Sequence, residues 1–297
     1  MATVQDLKRR IRSIRNTRKI TKAMELVASA RLRRAQARIE AMRPYADRMT
    51  ELMMGTAKAS TSLRGLALLQ RREVHKAAII PLTGDRGLAG AFNAQVLRQA
   101  FALERQLRGE GVEVQWLVAG KKGRSTLSFR HYEIDQSWIG FSDRPSYHDA
   151  QAIARKAAEL YENGEVDRVV IVYNQFVSAL VQRVVERDLL PIPEEALTRD
   201  ESEEREEALL GDFIYEPEPE EILQRLLPVY VETELYRALL ESAASEQGAR
   251  MTAMRNASGN AADLISSLTL DMNRARQAEI TQEILEVVAG ADALTGG

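Results

Sequence analysis

Apolar positions recur by threes and fours at both ends of the chain and gather into short continuous runs in the middle. At the N-terminal end Val4, Leu7, Ile11 and Ile14 are followed by Ala28, Leu32, Ala35, Ile39, Met42, Ala46, Met49 and Met53. That four-three spacing keeps one narrow stripe of a helix facing a partner helix. The C-terminal series Leu240, Ala244, Gln247, Met251, Met254, Ser258, Ala261, Ile265, Leu268, Met272 and Ala275 holds the same alternation. Pro228 is the last proline, so a helix is expected from Val229 to about Val288. At 1.5 Å per residue it runs about 90 Å, longer than a compact domain of this size contains. The two series predict terminal helices paired as a long antiparallel coiled coil. Ala, Ser and Met stand where a tight zipper places Leu and Ile, which permits close approach at some cost in packing energy. Gly248 and Gly259 each cost about 1 kcal/mol relative to Ala, and mark places where the helix bends or is closely approached. A hairpin serving only as scaffold explains the pattern as well, since heptads report pairing and not purpose.

Between the helices the period changes. Ala77–Leu82, Val112–Val118 and Val169–Tyr173 are apolar runs suited to buried strands, separated by helical stretches near Phe92–Leu107 and Tyr147–Glu162. Strand, helix, strand, helix, strand implies a right-handed parallel α/β unit, Rossmann-like in outline. Gln175 to Val185 reads as one further strand at an edge. The resulting organisation is an N-terminal coiled-coil helix over 1–60, an α/β domain over 70–215 inserted between the helices, and a C-terminal coiled-coil helix over 216–297.

Composition sharpens this outline. Only 5% of the 297 residues are aromatic, which suits long helices better than a purely globular protein. The formal net charge of -2 conceals a strong asymmetry. Residues 1 to 50 hold fourteen Lys and Arg against four Asp and Glu, and residues 194 to 221 are acidic. A basic helix of this kind faces nucleic acid, anionic lipid or an acidic protein surface. Nucleic acid fits least, because the Arg stripe has no interleaved aromatics and no adjoining recognition helix. The absence of Cys excludes disulfides, thiol catalysis and thiolate metal sites. No apolar run approaches 18 residues, and no signal-peptide core lies near Met1, so the mature protein is expected to start at or near that residue.

Candidate chemistry is sparse. The loop Thr83-Gly84-Asp85-Arg86-Gly87-Leu88-Ala89-Gly90-Ala91-Phe92-Asn93 follows the first strand, where a glycine-rich loop cradles phosphate. Its spacing fails. A P-loop ends Gly-Lys-Ser/Thr where Ala89, Gly90 and Ala91 stand, and the dinucleotide fingerprint meets Arg86 in place of its second glycine. The loop therefore reads as a structural turn or a protein-contact loop, and Gly120-Lys121-Lys122-Gly123 is no better placed for a nucleotide. His75, His131 and His148 sit on different elements without carboxylates at ligand spacing, so no metal site is expected. Ser125, Ser142 and Ser146 lack a nucleophile elbow. Glu194 to Glu207 reads as a solvated surface segment.

Several separated segments together resemble the γ subunit family of F-type ATP synthases. They are Asn16 to Ala30, Arg43-Pro44-Tyr45-Ala46, Asp85-Arg86-Gly87-Leu88, Tyr215-Glu216-Pro217, Ser245-Glu246-Gln247, Arg250-Met251, Met254, and Ala275-Arg276-Gln277 with Ile280-Thr281-Gln282-Glu283. They cover nearly the whole chain in order. Where the family commonly has Cys-Gly-Gly after the Gly-Leu of the loop, this chain has Ala89-Gly90-Ala91, which bears on fine loop contacts. The cysteine pair of the light-regulated chloroplast form is absent, which favours the bacterial type.

The resemblance implies a central rotor shaft without a cofactor of its own. In that family the paired helices fill the centre of a ring of three α and three β subunits, and the α/β domain sits beside the ε subunit and on the membrane c-ring. Proton flow turns the ring and γ together, driving the catalytic β sites toward ATP synthesis, or hydrolysis in reverse. The implied location is peripheral, on the cytoplasmic face of the bacterial plasma membrane. Carried over residue by residue, Arg276, Gln277 and Thr281 are expected to hydrogen-bond the catch region of β. Met24, Glu246 and Arg250 mark where the helices meet an acidic lever loop of β, and Asp85, Arg86, Gly87 and Leu88 form a loop beside the shaft that also meets β. Phe213, Tyr215 and Glu216 match the foot that contacts ε and the c-ring, with Phe213 in place of the more usual tyrosine. Against this stand a passive coiled-coil adaptor between complexes, a nucleotide-dependent enzyme dimerised by its helices, and a membrane-surface binder using the basic helix.

Overall fold

A computed structural model describes residues 3–60, 65–193 and 216–295, without the side chains of 292–295. The acidic stretch 194–207 and the expected foot residues Phe213 and Tyr215 lie outside the described residues. In chain order the elements are α1 (Val4–Ala59), β1 (Lys76–Pro81), α2 (Phe92–Gly109), β2 (Glu113–Ala119), α3 (Lys121–Phe129), β3 (Gln136–Trp138), α4 (Tyr147–Glu162), β4 (Arg168–Phe176), β5 (Gln182–Leu190) and α5 (Pro219–Thr295). They form two compact units, one of Met1–Ala28 with Met251–Gly297, the other Ser29–Arg250.

In the first unit the α1 stripe is Leu7, Ile11, Thr21 and Ala28, all buried, and the α5 stripe is Met251, Met254 and Ala261. The two helices are tied by Arg255, whose Nε donates to Glu25 at 3.1 Å, while Lys22 reaches the same carboxylate at 3.0 Å from one turn away. These hydrogen bonds from Lys22 and then Arg255 outweigh burial and hold the Glu25 carboxyl below its ordinary value.

The second unit is a five-stranded sheet in the order β3-β2-β1-β4-β5. β1 pairs in parallel with β2 and β4, β2 with β3, and β5 closes the edge antiparallel to β4. Because side chains alternate across a strand, the apolar runs supply two cores at once. Ala77 and Ile79 of β1 join Trp116, Val170 and Val172 against Val96, Leu97, Ala100 and Leu107 of α2. Ala78, Ile80 and Leu82 face the other way, with Ile171 and Tyr173, toward Ile153, Ala157 and Leu160 of α4 and Leu223, Leu227, Val231 and Leu235 of α5. The last four step by fours along α5, and truncating one of the leucines to Ala costs about 2–5 kcal/mol.

Three details depart from the expectations. α5 begins at Pro219 and runs through Pro228, ten residues before the expected start. Proline at the first helical position loses no bond the helix offers. At Pro228 the missing donation to the Gln224 carbonyl is offset by Leu223, Leu227 and Val231, buried on both sides of it. Gln175 to Val185 is a hairpin, not one strand: Ser178 donates its amide to the Val181 carbonyl at 3.0 Å, and its hydroxyl accepts from the Val181 amide at 3.1 Å. In the sequence the apolar residues on either side of that serine mask the turn, which is exposed in the fold. α3 and β3 go beyond the expected elements, because both are short and neither contains an apolar run.

Candidate partner-contact site

The first residues of the loop after β1, Thr83 to Asp85, are held by their neighbours. Thr83 donates its amide to the Ala119 carbonyl at 2.8 Å and its hydroxyl to the same oxygen at 2.8 Å, and that hydroxyl accepts from the Gly123 amide at 2.9 Å. The Gly84 amide donates to Asn93 Oδ1 at 2.7 Å, and the Asp85 amide to Ser142 Oγ at 2.8 Å. Asp85 returns the favour through its carboxylate, which accepts from the Lys121 amide at 2.9 Å and the Ser142 amide at 3.0 Å. Burial pushes the Asp85 carboxyl up, but the amides of Gly140, Ser142 and Lys121 outweigh it and the group lies below its ordinary value. Three amides of the kind a phosphate loop aims at its ligand, those of Thr83, Gly84 and Asp85, are thus spent inside the fold. Asp85 fastens the loop, while Arg86, Gly87 and Leu88 are exposed at its tip, with Leu88 in the left-handed region at φ 64°.

Behind the tip lies α5. Glu246 is fully buried, its carboxylate against Gly84, where a Cβ would come within 2.9 Å of it. Arg250 donates to Glu246 from one turn along the helix and to the Gly87 carbonyl at 3.4 Å. Burial raises the Glu246 carboxyl above its ordinary value, opposed by the Arg250 guanidinium. A second carboxylate joins four segments: Asp143 accepts from Arg31 of α1 at 2.9 Å and from Gln247 at 3.2 Å, lies 3.4 Å from Arg86, and has Arg250 at 3.8 Å. Nothing local in the sequence distinguishes Asp143 and Arg31. Only the fold brings residues 112 positions apart to one place.

The remaining candidates lie elsewhere. Met24 is half-buried in the first unit, next to the Glu25 pair. Arg276, Gln277 and Thr281 are exposed on α5, where Thr281 donates its hydroxyl to the Gln277 carbonyl at 2.9 Å. From Arg276 to Ala291 every residue is exposed, Ile280, Ile284, Leu285, Val287 and Val288 among them. Glu216 is exposed ahead of α5. Of the serines weighed as nucleophiles, Ser142 braces Asp85 and Ser146 caps α4, accepting from the Asp149 amide while donating its own amide to that carboxylate at 2.8 Å.

A family model described as ATP synthase matches residues 3–294. The chain is 47% identical to an ATP synthase gamma chain of Rubrobacter xylanophilus over 302 residues, spanning all of both sequences. It is 46% identical to one of Moorella thermoacetica over 294 residues, spanning 99% of this chain and all of that one. Among solved structures, one of the central stalk and c-ring of the Tetrahymena thermophila mitochondrial ATP synthase contains a chain with 28% identity and a TM-score of 0.58. That match covers 80% of this chain and 99% of the other. A chain of the Euglena gracilis mitochondrial ATP synthase, at 18% identity and a TM-score of 0.69, shares the fold over 99% of this chain and 95% of its own.

Proposed function

Since the chain belongs to the ATP synthase γ-chain family, we propose that it is the central rotor shaft of such a synthase, passing c-ring rotation to a ring of α and β subunits. One observation carries the reading. Sixteen consecutive residues of α5, from Arg276 to Ala291, are exposed although aliphatic side chains recur among them at 280, 284, 287 and 288. That spacing is one face of a helix, and an isolated helix does not leave such a face to water unless a partner encloses it. A sleeve of partner subunits supplies the enclosure. Arg276 and Gln277 stand on the same exposed stretch as donors toward it, and Thr281, whose hydroxyl proton goes to the Gln277 carbonyl, stands there as an acceptor.

At the other site we assign contact with β to the exposed tip, Arg86, Gly87 and Leu88. Asp85, Glu246 and Arg250 belong to the same contact as the groups that hold the tip from behind, and Met24 to a seam position facing the β lever. Phe213, Tyr215 and Glu216 are assigned to the foot against ε and the c-ring. The subunit itself is non-catalytic on this reading, with nucleotide chemistry on β, which is supported by a β1 loop that lacks phosphate-loop spacing and whose Thr83, Gly84 and Asp85 amides bond inside the fold. Inverting a β site from 1:99 to 99:1 takes about 5.5 kcal/mol of differential interaction. A few charge-assisted hydrogen bonds from a stiff helix supply that much. Among the described residues no helix is long and apolar enough to cross a membrane, so attachment at the cytoplasmic face of the bacterial plasma membrane is assigned to the c-ring contact.

The test is co-expression with α and β from the same source, followed by size-exclusion chromatography and an ATPase assay with and without the chain. One copy per ring and turnover that depends on it are expected. A complex whose turnover ignores the chain returns the passive adaptor to the lead.

A further inference from the structure

We propose that the outer face of the α/β unit, between α2 and α3, binds a small polyphosphate anion. A cleft of about 520 Å³ opens there, within the range of small-molecule sites. Two helical ridges wall it. Arg98, Phe101 and Arg105 stand at i, i+3 and i+7 on α2; Lys122, Thr126 and Arg130 stand at i, i+4 and i+8 along α3 and its cap. At 1.5 Å per residue the paired cations are about 10 and 12 Å apart along their helices, so they flank the length of the cleft. None of the four has a carboxylate partner among the described residues. α3 contains no acid, and the one carboxylate of α2, Glu104, is buried and engaged by Arg108 at 2.9 Å and by the Tyr132 hydroxyl at 2.9 Å. Four uncompensated cations around a concavity repel one another unless an anion enters.

The aromatic lining decides which part of a ligand is read. One face of the Phe101 ring is stacked on Tyr132 at 5.4 Å, and the Arg130 guanidinium lies over the ring at 4.6 Å. Phe101 is itself buried and offers no platform for a nucleobase, while Arg130 is held in place with its donors free for phosphate oxygens. Recognition is therefore of the phosphates, whether free or at the end of a nucleotide. The concave shape separates this from a membrane surface, which meets flat or convex basic faces. This inference goes beyond the rotor reading and does not depend on it.

Calorimetric titration of the full chain tests it with three probes: inorganic pyrophosphate, ADP and adenosine. Pyrophosphate and ADP are expected to bind with similar affinity, weakened by added salt, and adenosine to give no heat. Arg98→Ser with Arg105→Ser, both exposed positions, is expected to weaken pyrophosphate by about tenfold or more with the circular dichroism spectrum unchanged. Arg130→Ser, which replaces no residue of α2 and removes only the cation over Phe101, is expected to do the same. Adenosine binding as well as ADP, full affinity retained in both variants, or binding of phosphatidylglycerol vesicles without any binding of pyrophosphate each overturns the proposal.

Discussion

A Cβ built on Gly120 lies 2.0 Å from the carbonyl oxygen of Thr83. The glycine sits at φ 97°, where its amide reaches the Trp138 carbonyl at 2.8 Å and the chain turns from β2 into α3 against the β1 loop. Gly120→Ala meets both a strained backbone and a backbone atom that has nowhere to go. A loss of about 3 kcal/mol or more is expected in urea unfolding. Gly111, at φ 83° with no atom within 4 Å of its built Cβ, is the control, and its replacement by Ala costs about 1–2 kcal/mol.

Asp85 predicts a pH signature. Its folded carboxyl lies below the ordinary 3.8, so the stability it adds is present above that value and is lost as pH falls through the lowered one. Asp85→Asn is expected to cost about 1–3 kcal/mol near neutrality, because the amides of Lys121 and Ser142 lose a charged acceptor. Urea midpoints compared from pH 7 downward are expected to converge below pH 3.8.

Two of the three glycines inside α5, Gly248 and Gly259, are expected to behave oppositely. Nothing lies within 4 Å of a Cβ on Gly259, so Gly259→Ala stabilises the isolated chain by about 1 kcal/mol through helix propensity alone. At Gly248 the same Cβ comes within 3.0 Å of the Ala179 carbonyl oxygen, and crowding cancels that gain or reverses it. Paired thermal melts of the two variants distinguish these effects.

Glu25 and Arg255 are one contact of the helix pair available to a double-mutant cycle. With Arg255 still half-exposed, a coupling of about 0.2–1 kcal/mol is expected from Glu25→Ala and Arg255→Ala. The lowered Glu25 carboxyl means this coupling is present above its ordinary value and fades as pH falls through the folded one. A coupling that persists in acid contradicts the assignment.

Replacing Arg276 and Gln277 together by Ala removes exposed groups and no packing. ATP turnover of the assembled complex is expected to fall by about tenfold or more, while the helical signal of the chain stays the same. Wild-type turnover in that variant removes these residues from the proposed contact.

Amino-acid order by itself determined the parts whose cause is local. The four-three stripes of Leu7, Ile11, Ala28 and Met53 declared α1 long before any partner was visible, because a helix repeats its facing side every three or four residues. The runs at Ala77 and Val169 likewise announced strands buried on both faces, and the failed glycine spacing marked the β1 loop as no phosphate cradle. Tertiary structure decided what depends on distant neighbours. Pro228 stays inside a helix because leucines on either side of it are buried by the sheet and α4, which no propensity foretells. Asp143 joins Arg31 across 112 positions and Gln247 across 104, with Arg86 beside them, and Glu246, an ordinary glutamate in a helical pattern, lies under Gly84. Charge pairing and close backbone approach act through space over a few ångströms, so they leave no period in the sequence.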